Sequence, residues 1–509
     1  MPEDGPLQVT GQSLSIEDVI AVARDGRRVV VAENARDRMA TSRAVVERLV
    51  AENATAYGIT TGFGDLANVR IEPTQADELQ RNLVRSHAAG VGEALPEDVV
   101  RAMLLLRANT LAIGLSGVRP ELTALLCEML NARVHPTVPS RGSVGASGDL
   151  APLAHLALVV IGEGEADTPA GRLPGATALE QAGLGPMQLR AKEGLALLNG
   201  TQLMAGVGAL ALHDALALAA TADVVGAMSL EAMQGTAVAF DARLIEARPH
   251  AGQVASASHL RALLADSQIG AAHRDSPHRI QDPYSLRCMP QVHGAALDAL
   301  GELGRVLAVE MNAVTDNPLV FPSGEVISGG NFHGEPLALA LDYAVLAVTE
   351  LAVISERRCA RLVDAHLSGL PAFLSDNPGL ESGLMIAQYT AAALVNELQT
   401  LAHPSSVDTI PTSANQEDHV SMGATSALRL RSVLELATTV LAIEALCAAQ
   451  GLDFREPMRA GAGVAAAHAA IRERVAHLGA DRPPSPDIEL VRGLVAAGTL
   501  QAAADSARP

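Results

Sequence analysis

Residues 142–155 read GSVGASGDLAPLAH. Ala146-Ser147-Gly148 lies between glycines with no base or nucleophile adjacent, and helix-start residues come only at Asp149-Leu150-Ala151-Pro152. Backbone this bare serves unusual dihedral angles or close approach by another group. Three other polar stretches interrupt long apolar runs: QDPYSLRCMPQ (281–291), SGGNFHGE (328–335) and SVDTIPTSANQEDH (406–419). A further loop, the glycine-rich YGITTGFGDLA, covers 57–67. Of the four tyrosines, Tyr343 and Tyr389 fall in helical patterns, whereas Tyr57 and Tyr284 fall in these loops. One loop tyrosine usually packs its ring and wets its hydroxyl. Two of four in polar loops lean toward function.

Several chemistries are excluded by motif. The chain has no GxxxxGK[ST] phosphate loop, no HExxH zinc pair and no GxSxG elbow. GVGALA (206–211) mimics a dinucleotide fingerprint but sits inside a helical pattern rather than after a strand. The histidines show no metal-ligand spacing, so no metal is expected. A net charge of −20 without clustered Lys or Arg argues against nucleic acid. Cys127, Cys288, Cys359 and Cys447 are far apart, form no CxxC pair and read as reduced cytosolic thiols, so a cytoplasmic protein is expected. The opening MPEDGPLQVT has no basic region before an apolar run, so no secretion signal is expected. Residues 203–228 are apolar enough to suggest a membrane span, but His213, Asp214 and Asp223 interrupt them; a buried helix is the expectation.

The elements that must position these loops are mostly helical. Ala and Leu are abundant and aromatics make up only 2%, which favours helices over sheets. Ser15-Ile16-Glu17-Asp18 caps a helix to about Ala23, and 27–33 could be a strand. Helical spacing predicts further helices at 36–52, 74–87, 97–131 and 149–161, then a Gly/Pro-rich connection at 162–186. Long apolar helices follow at 195–233, 290–315, 335–368, 383–402 and 420–450, with a last one near 460–478. A proline-rich connection at 481–487 leads to a frayed end. The fold class is therefore mainly α: an N-terminal subdomain over 1–200, mixed but mostly helical, then a bundle of long antiparallel helices over 201–509 with a C-terminal helical cap.

Read together, YGITTGFG, NLVRSHAAGVG, GSVGASGDLAPLAH, EGLALLNGTQ, QDPYSLRC, GGNFHGEP and SANQEDHVSM occur in that order, within a match from about residue 10 to about residue 455. This set closely resembles the aromatic amino acid ammonia-lyase family and, within it, the branch acting on histidine. The resemblance implies that Ala146-Ser147-Gly148 cyclises on itself, the Gly148 nitrogen attacking the Ala146 carbonyl. Two waters leave, giving 4-methylidene-imidazol-5-one (MIO) without metal or nucleotide. It places this loop in the N-terminal subdomain. It further implies elimination of ammonia from L-histidine to give urocanate, a homotetramer, and active sites built where subunits meet.

The resemblance also distributes roles. Tyr57 would take the β-proton, and Tyr284 would stabilise the amine or the departing ammonia. Arg287 would grip the substrate carboxylate, for which a planar two-pronged guanidinium is suited, with Gln281 a further carboxylate contact. Asn199 would hydrogen-bond the cofactor region or the carboxylate, and Phe332 would pack on the cofactor ring. His87 and Glu417 would select an imidazole, which needs a carboxylate for its N–H and a second polar partner; a phenyl ring would leave both unpaired. Glu417 also suits a helix start before Asp418-His419-Val420. Thr60, Met289 and His293 depart from the usual pattern of the histidine branch and weigh on the substrate. Three alternatives stay open: a 2,3-aminomutase with the same cofactor, a phenylalanine or tyrosine lyase, and an uncyclised helical scaffold.

Overall fold

A computed structural model of the chain describes residues 5–59, 61, 71–275 and 280–507. The chain is mainly α-helical, the class its composition predicts. Two compact units emerge, neither continuous in sequence. The first comprises 1–210, 303–342 and 404–428; the second comprises 211–302, 343–403 and 429–509.

The first unit holds every strand among the described residues, all short. Leu7–Val9 pairs in parallel with Val29–Val31, and Val91–Ala94 lies antiparallel to Pro139–Arg141, just ahead of the Ala-Ser-Gly loop. Its first helix, Ile16–Ala23, opens on the expected capping box, Ser15 with Asp18. The helix expected over 97–131 is two, Glu97–Ala112 and Pro120–Asn131. Gly114 and Gly117 adopt φ of +87° and +68° between them, conformations that L-residues avoid, and Pro120 restarts the helix. A small cluster of Val45, Val46, Ile59, Ala76, Ala191 and Val320 anchors the turn that follows Tyr57. Burying Ile59 completely contributes about 1.5–3 kcal/mol to holding that turn.

In the second unit every secondary-structure element among the described residues is a helix, joined by loops. Three helices, Gln202–Ala232, Glu335–Val363 and Gly423–Asp453, are long and apolar enough to cross a membrane, yet their apolar windows are each 72% buried inside the protein. Two of their buried acids are paired internally. Asp223 accepts bonds from Ser256 Oγ (2.7 Å) and His293 Nδ1 (2.7 Å), and Arg358 Nη2 donates to Glu444 Oε2 at 2.8 Å. These are core helices, as residues 203–228 suggested. The sequence misses the C-terminal elements: Pro484–Ala496 begins inside the proline-rich stretch, with Pro at its first turn, where no N–H is needed. Thr499–Ser506 does not fray, because Leu500 and Ala504 are fully buried.

Candidate active site

The Ala-Ser-Gly loop is held from several directions within the first unit. Gly148 has φ +76°, and a Cβ there would lie 2.2 Å from the Gly200 carbonyl oxygen. No residue but glycine fits. The next amide, Asp149 N–H, donates to that same oxygen at 2.7 Å. Asp149 is fully buried and caps the long helix behind it, accepting from the Leu203 and Met204 amides at 2.9 and 3.0 Å; Ser143 Oγ donates to its other oxygen at 2.8 Å. Burial raises its carboxyl to about 6, opposed by these three donors. On the preceding side, the Gly145 carbonyl accepts from Ser421 Oγ (3.0 Å) and the Gly334 amide (3.1 Å), and the Met422 amide reaches the Val144 carbonyl.

The side chains named from sequence meet here. Asn199 Nδ2 donates to the Ser147 carbonyl at 2.7 Å, and Ser147 Oγ donates to Glu417 Oε1 at 2.6 Å. Asn199 is available because the helix expected over 195–233 is broken: Glu193–Leu198 ends on Asn199, whose extended ψ of 103° turns the chain before Gln202–Ala232 begins. Arg107 Nη1 donates to the Asn199 carbonyl at 2.9 Å and fixes this break. Arg107 is wholly buried, which lowers its guanidinium to about 10, with Asp316 opposing the shift. At the start of the short helix, Lys192 Nζ donates to Asp316 Oδ2 at 2.7 Å, both side chains fully buried.

His87 closes the helix Ala76–His87. Its Nδ1 lies 2.9 Å from the Leu83 carbonyl, which can only accept, so Nδ1 carries the proton and Nε2 a lone pair. Burial lowers its pKa, only partly offset by the Leu83 bond and the Glu417 charge, so the ring is neutral near pH 7. Glu417 is half-buried, and its second oxygen, Oε2, accepts from Thr412 Oγ1 at 2.7 Å. Between these two residues Ser413, Ala414 and Asn415 have φ of +51°, +52° and +67°. A run of three left-handed L-residues costs roughly 1–2 kcal/mol each and persists only when its surroundings demand it.

Tyr57 is half-buried at the head of its turn; Thr60 and 62–70, which continue that loop, lie outside the described residues. Phe332 is half-buried two residues before Gly334, the residue whose amide holds Gly145. The remaining three residues belong to the second unit. Tyr284–Arg287 is a single helical turn, with the Arg287 guanidinium 4.7 Å above the Tyr284 ring. Arg287 Nε is buried without a partner among the described residues, and Gln281 is exposed. The departure at His293 has a structural explanation, since its Nδ1 is bonded to buried Asp223.

Sequence reasoning did not single out Arg107, Asp149, Lys192, Asp316 or Thr412. Arg107 had a signal, a lone charge inside the apolar run MLLLRANTLA. Asp149 was read only as a helix start, Thr412 is one polar residue in a polar loop, and Lys192 and Asp316 carried no signal because they meet from 124 residues apart.

The profile of the aromatic amino acid lyase family matches residues 14–473, and the chain belongs to that family. It is 56% identical over 504 residues to a histidine ammonia-lyase of Anaeromyxobacter sp. (strain K), covering 97% of this chain and 99% of the relative. Among solved structures it is similar to histidine ammonia-lyase from Trypanosoma cruzi (TM-score 0.92, 42% identity, 99% and 96% of the two chains). It is also similar to tyrosine aminomutase from Streptomyces globisporus (TM-score 0.94, 38% identity, 99% of both).

Proposed function

We propose that the chain is a carbon–nitrogen lyase of the histidine ammonia-lyase type, converting L-histidine to urocanate and ammonia. The observation that carries the reading is the meeting of Asn199, Ser147 and Glu417, an amide donor and a carboxylate on either side of one serine. Full-length relatives bearing that name support the substrate.

The loop suits the group that the family builds from it. Gly148 occupies a cradle that any Cβ would fill, and Ala146 is buried and small. In forming the ring, one water removes the Ala146 carbonyl oxygen with the amide hydrogens of Ser147 and Gly148. The other removes the Ser147 hydroxyl with its Cα hydrogen. The finished MIO supplies what no ordinary side chain has, an electrophile for the substrate amine.

This chain's own residues do the rest. Arg287, with an unsatisfied buried donor, binds the substrate carboxylate and Gln281 assists. Glu417 accepts one imidazole N–H, and His87 Nε2, which can only accept, is the second polar partner when the substrate ring carries protons on both nitrogens. Tyr57 removes the β-proton, and Tyr284 steadies the leaving ammonia. Asn199 supplies a preplaced donor where negative charge develops, worth roughly 3–4 kcal/mol by analogy with oxyanion holes. Phe332 covers the ring and limits water. The enzyme works as a cytoplasmic homotetramer whose long helices pack across chains.

The test is to incubate purified protein separately with histidine, phenylalanine and tyrosine and identify each product. Urocanate from histidine alone is expected. The likeness to an aminomutase supports one rival, whose mark would be β-histidine. Intact mass addresses the scaffold rival, which predicts no two-water deficit.

A further inference from the structure

Glu417 uses its two oxygens differently. Oε1 accepts the Ser147 hydroxyl, and Oε2 accepts the Thr412 hydroxyl. The first bond cannot outlast ring formation, because the Ser147 oxygen leaves as water. Oε1 thereby loses its protein donor, while Oε2 keeps its own. We infer that Thr412 is a positioning residue for substrate selection: it holds Glu417 by Oε2, so that Oε1 stays aimed where the serine hydroxyl stood and receives the imidazole N–H. This rests on the functional reading above.

The local backbone is built for that hold. Thr412 and Glu417 form an isolated antiparallel bridge, with the Thr412 amide donating to the Glu417 carbonyl at 2.9 Å and the Glu417 amide returning to Thr412 at 3.3 Å. The pairing puts both side chains on one side of a closed loop. The loop closes only through the left-handed run Ser413-Ala414-Asn415, which a merely connecting segment would have no reason to adopt. An unanchored glutamate has three rotatable bonds and would sample positions away from the ring. A carboxylate with one oxygen fixed has its other oxygen placed as well.

The experiment compares parent, Thr412→Val and Thr412→Ser. Intact mass is measured first, then direct binding of urocanate and of cinnamate, which has a phenyl in place of the imidazole, and finally histidine turnover. All three proteins should show the two-water deficit. Thr412→Val should bind urocanate and turn over histidine at least tenfold less well, with cinnamate affinity within twofold of parent. Thr412→Ser should restore urocanate binding to within about threefold. A structural role would move both ligands together, so equal losses for urocanate and cinnamate overturn the inference. So does parental urocanate binding by the valine variant, or absence of its mass deficit. Should Thr412→Val not fold, the serine variant alone decides: a urocanate loss beyond threefold overturns the inference. A parent that carries the deficit but leaves histidine untouched overturns the functional reading itself.

Discussion

Gly148 and Gly200 face each other as an isolated parallel bridge, so close that one methyl group on Gly148 would overlap the Gly200 carbonyl. The contact ties the reactive loop to the break between two helices, and the missing side chain of Gly148 is what allows it. Gly148→Ala must push this backbone contact apart and should lack the ring. Its intact mass should match the unmodified sequence, and histidine turnover should fall below detection; a two-water deficit in this variant would contradict the assignment.

Glu417→Gln keeps an acceptor for the Ser147 hydroxyl, so ring formation should proceed and the mass deficit remain. It removes the charge that meets the imidazole N–H. A hydrogen bond to a charged group is worth about 1.5–3 kcal/mol, which converts to a loss of roughly 10- to 150-fold in kcat/KM for histidine. Unchanged histidine kinetics would point instead to a substrate without a ring N–H.

Asp316 faces two wholly buried cations, Lys192 by a direct bond and Arg107 by its field. Asp316→Asn would leave both uncompensated. Breaking a buried pair from one side costs about 3–5 kcal/mol, so the variant's melting temperature should fall by several degrees. A variant melting with the parent would mean that solvent reaches this cluster.

Glu231 in the second unit is almost fully buried, and burial raises its carboxyl to about 7, against the Gly461 amide that donates to it at 2.9 Å. With a folded pKa above the unfolded one, an acid favours the fold at low pH. That advantage is lost as pH climbs from the unfolded value near 4.5 to about 7. Glu231→Gln does not titrate. Its melting temperature relative to parent should therefore rise between pH 5 and 8 and level off above; paired scans at fixed rate would show it, and a constant difference would disprove the burial argument.

Much of this was legible in the sequence because it is local. The Ser15 capping box, the helices before Gly90 and after Asp149, and the long apolar helices follow from spacing alone. The Gly114 to Gly117 interruption was missed because apolar periodicity continues through it. The Asn199 break was missed because the flanking runs are equally apolar. Residues of the site were readable where the seven motifs carry them. Thr412 and Arg107 were not, since a threonine in a polar loop and an arginine in a core helix gain meaning only from the partners that the fold brings: Glu417 five residues away across a strained turn, and Asn199 ninety-two residues on.

The first unit draws on three separated stretches, and the last of them, 404–428, brings Glu417, Ser421 and Met422 to the loop. A ribosome adding about 5–20 residues per second needs roughly 10–40 s to pass from residue 210 to residue 428. Throughout that interval the nascent chain displays apolar helix surface whose covering segments have not yet been made. Heavy reliance on chaperones during synthesis is the expected outcome, and expression at lowered temperature should raise the soluble yield.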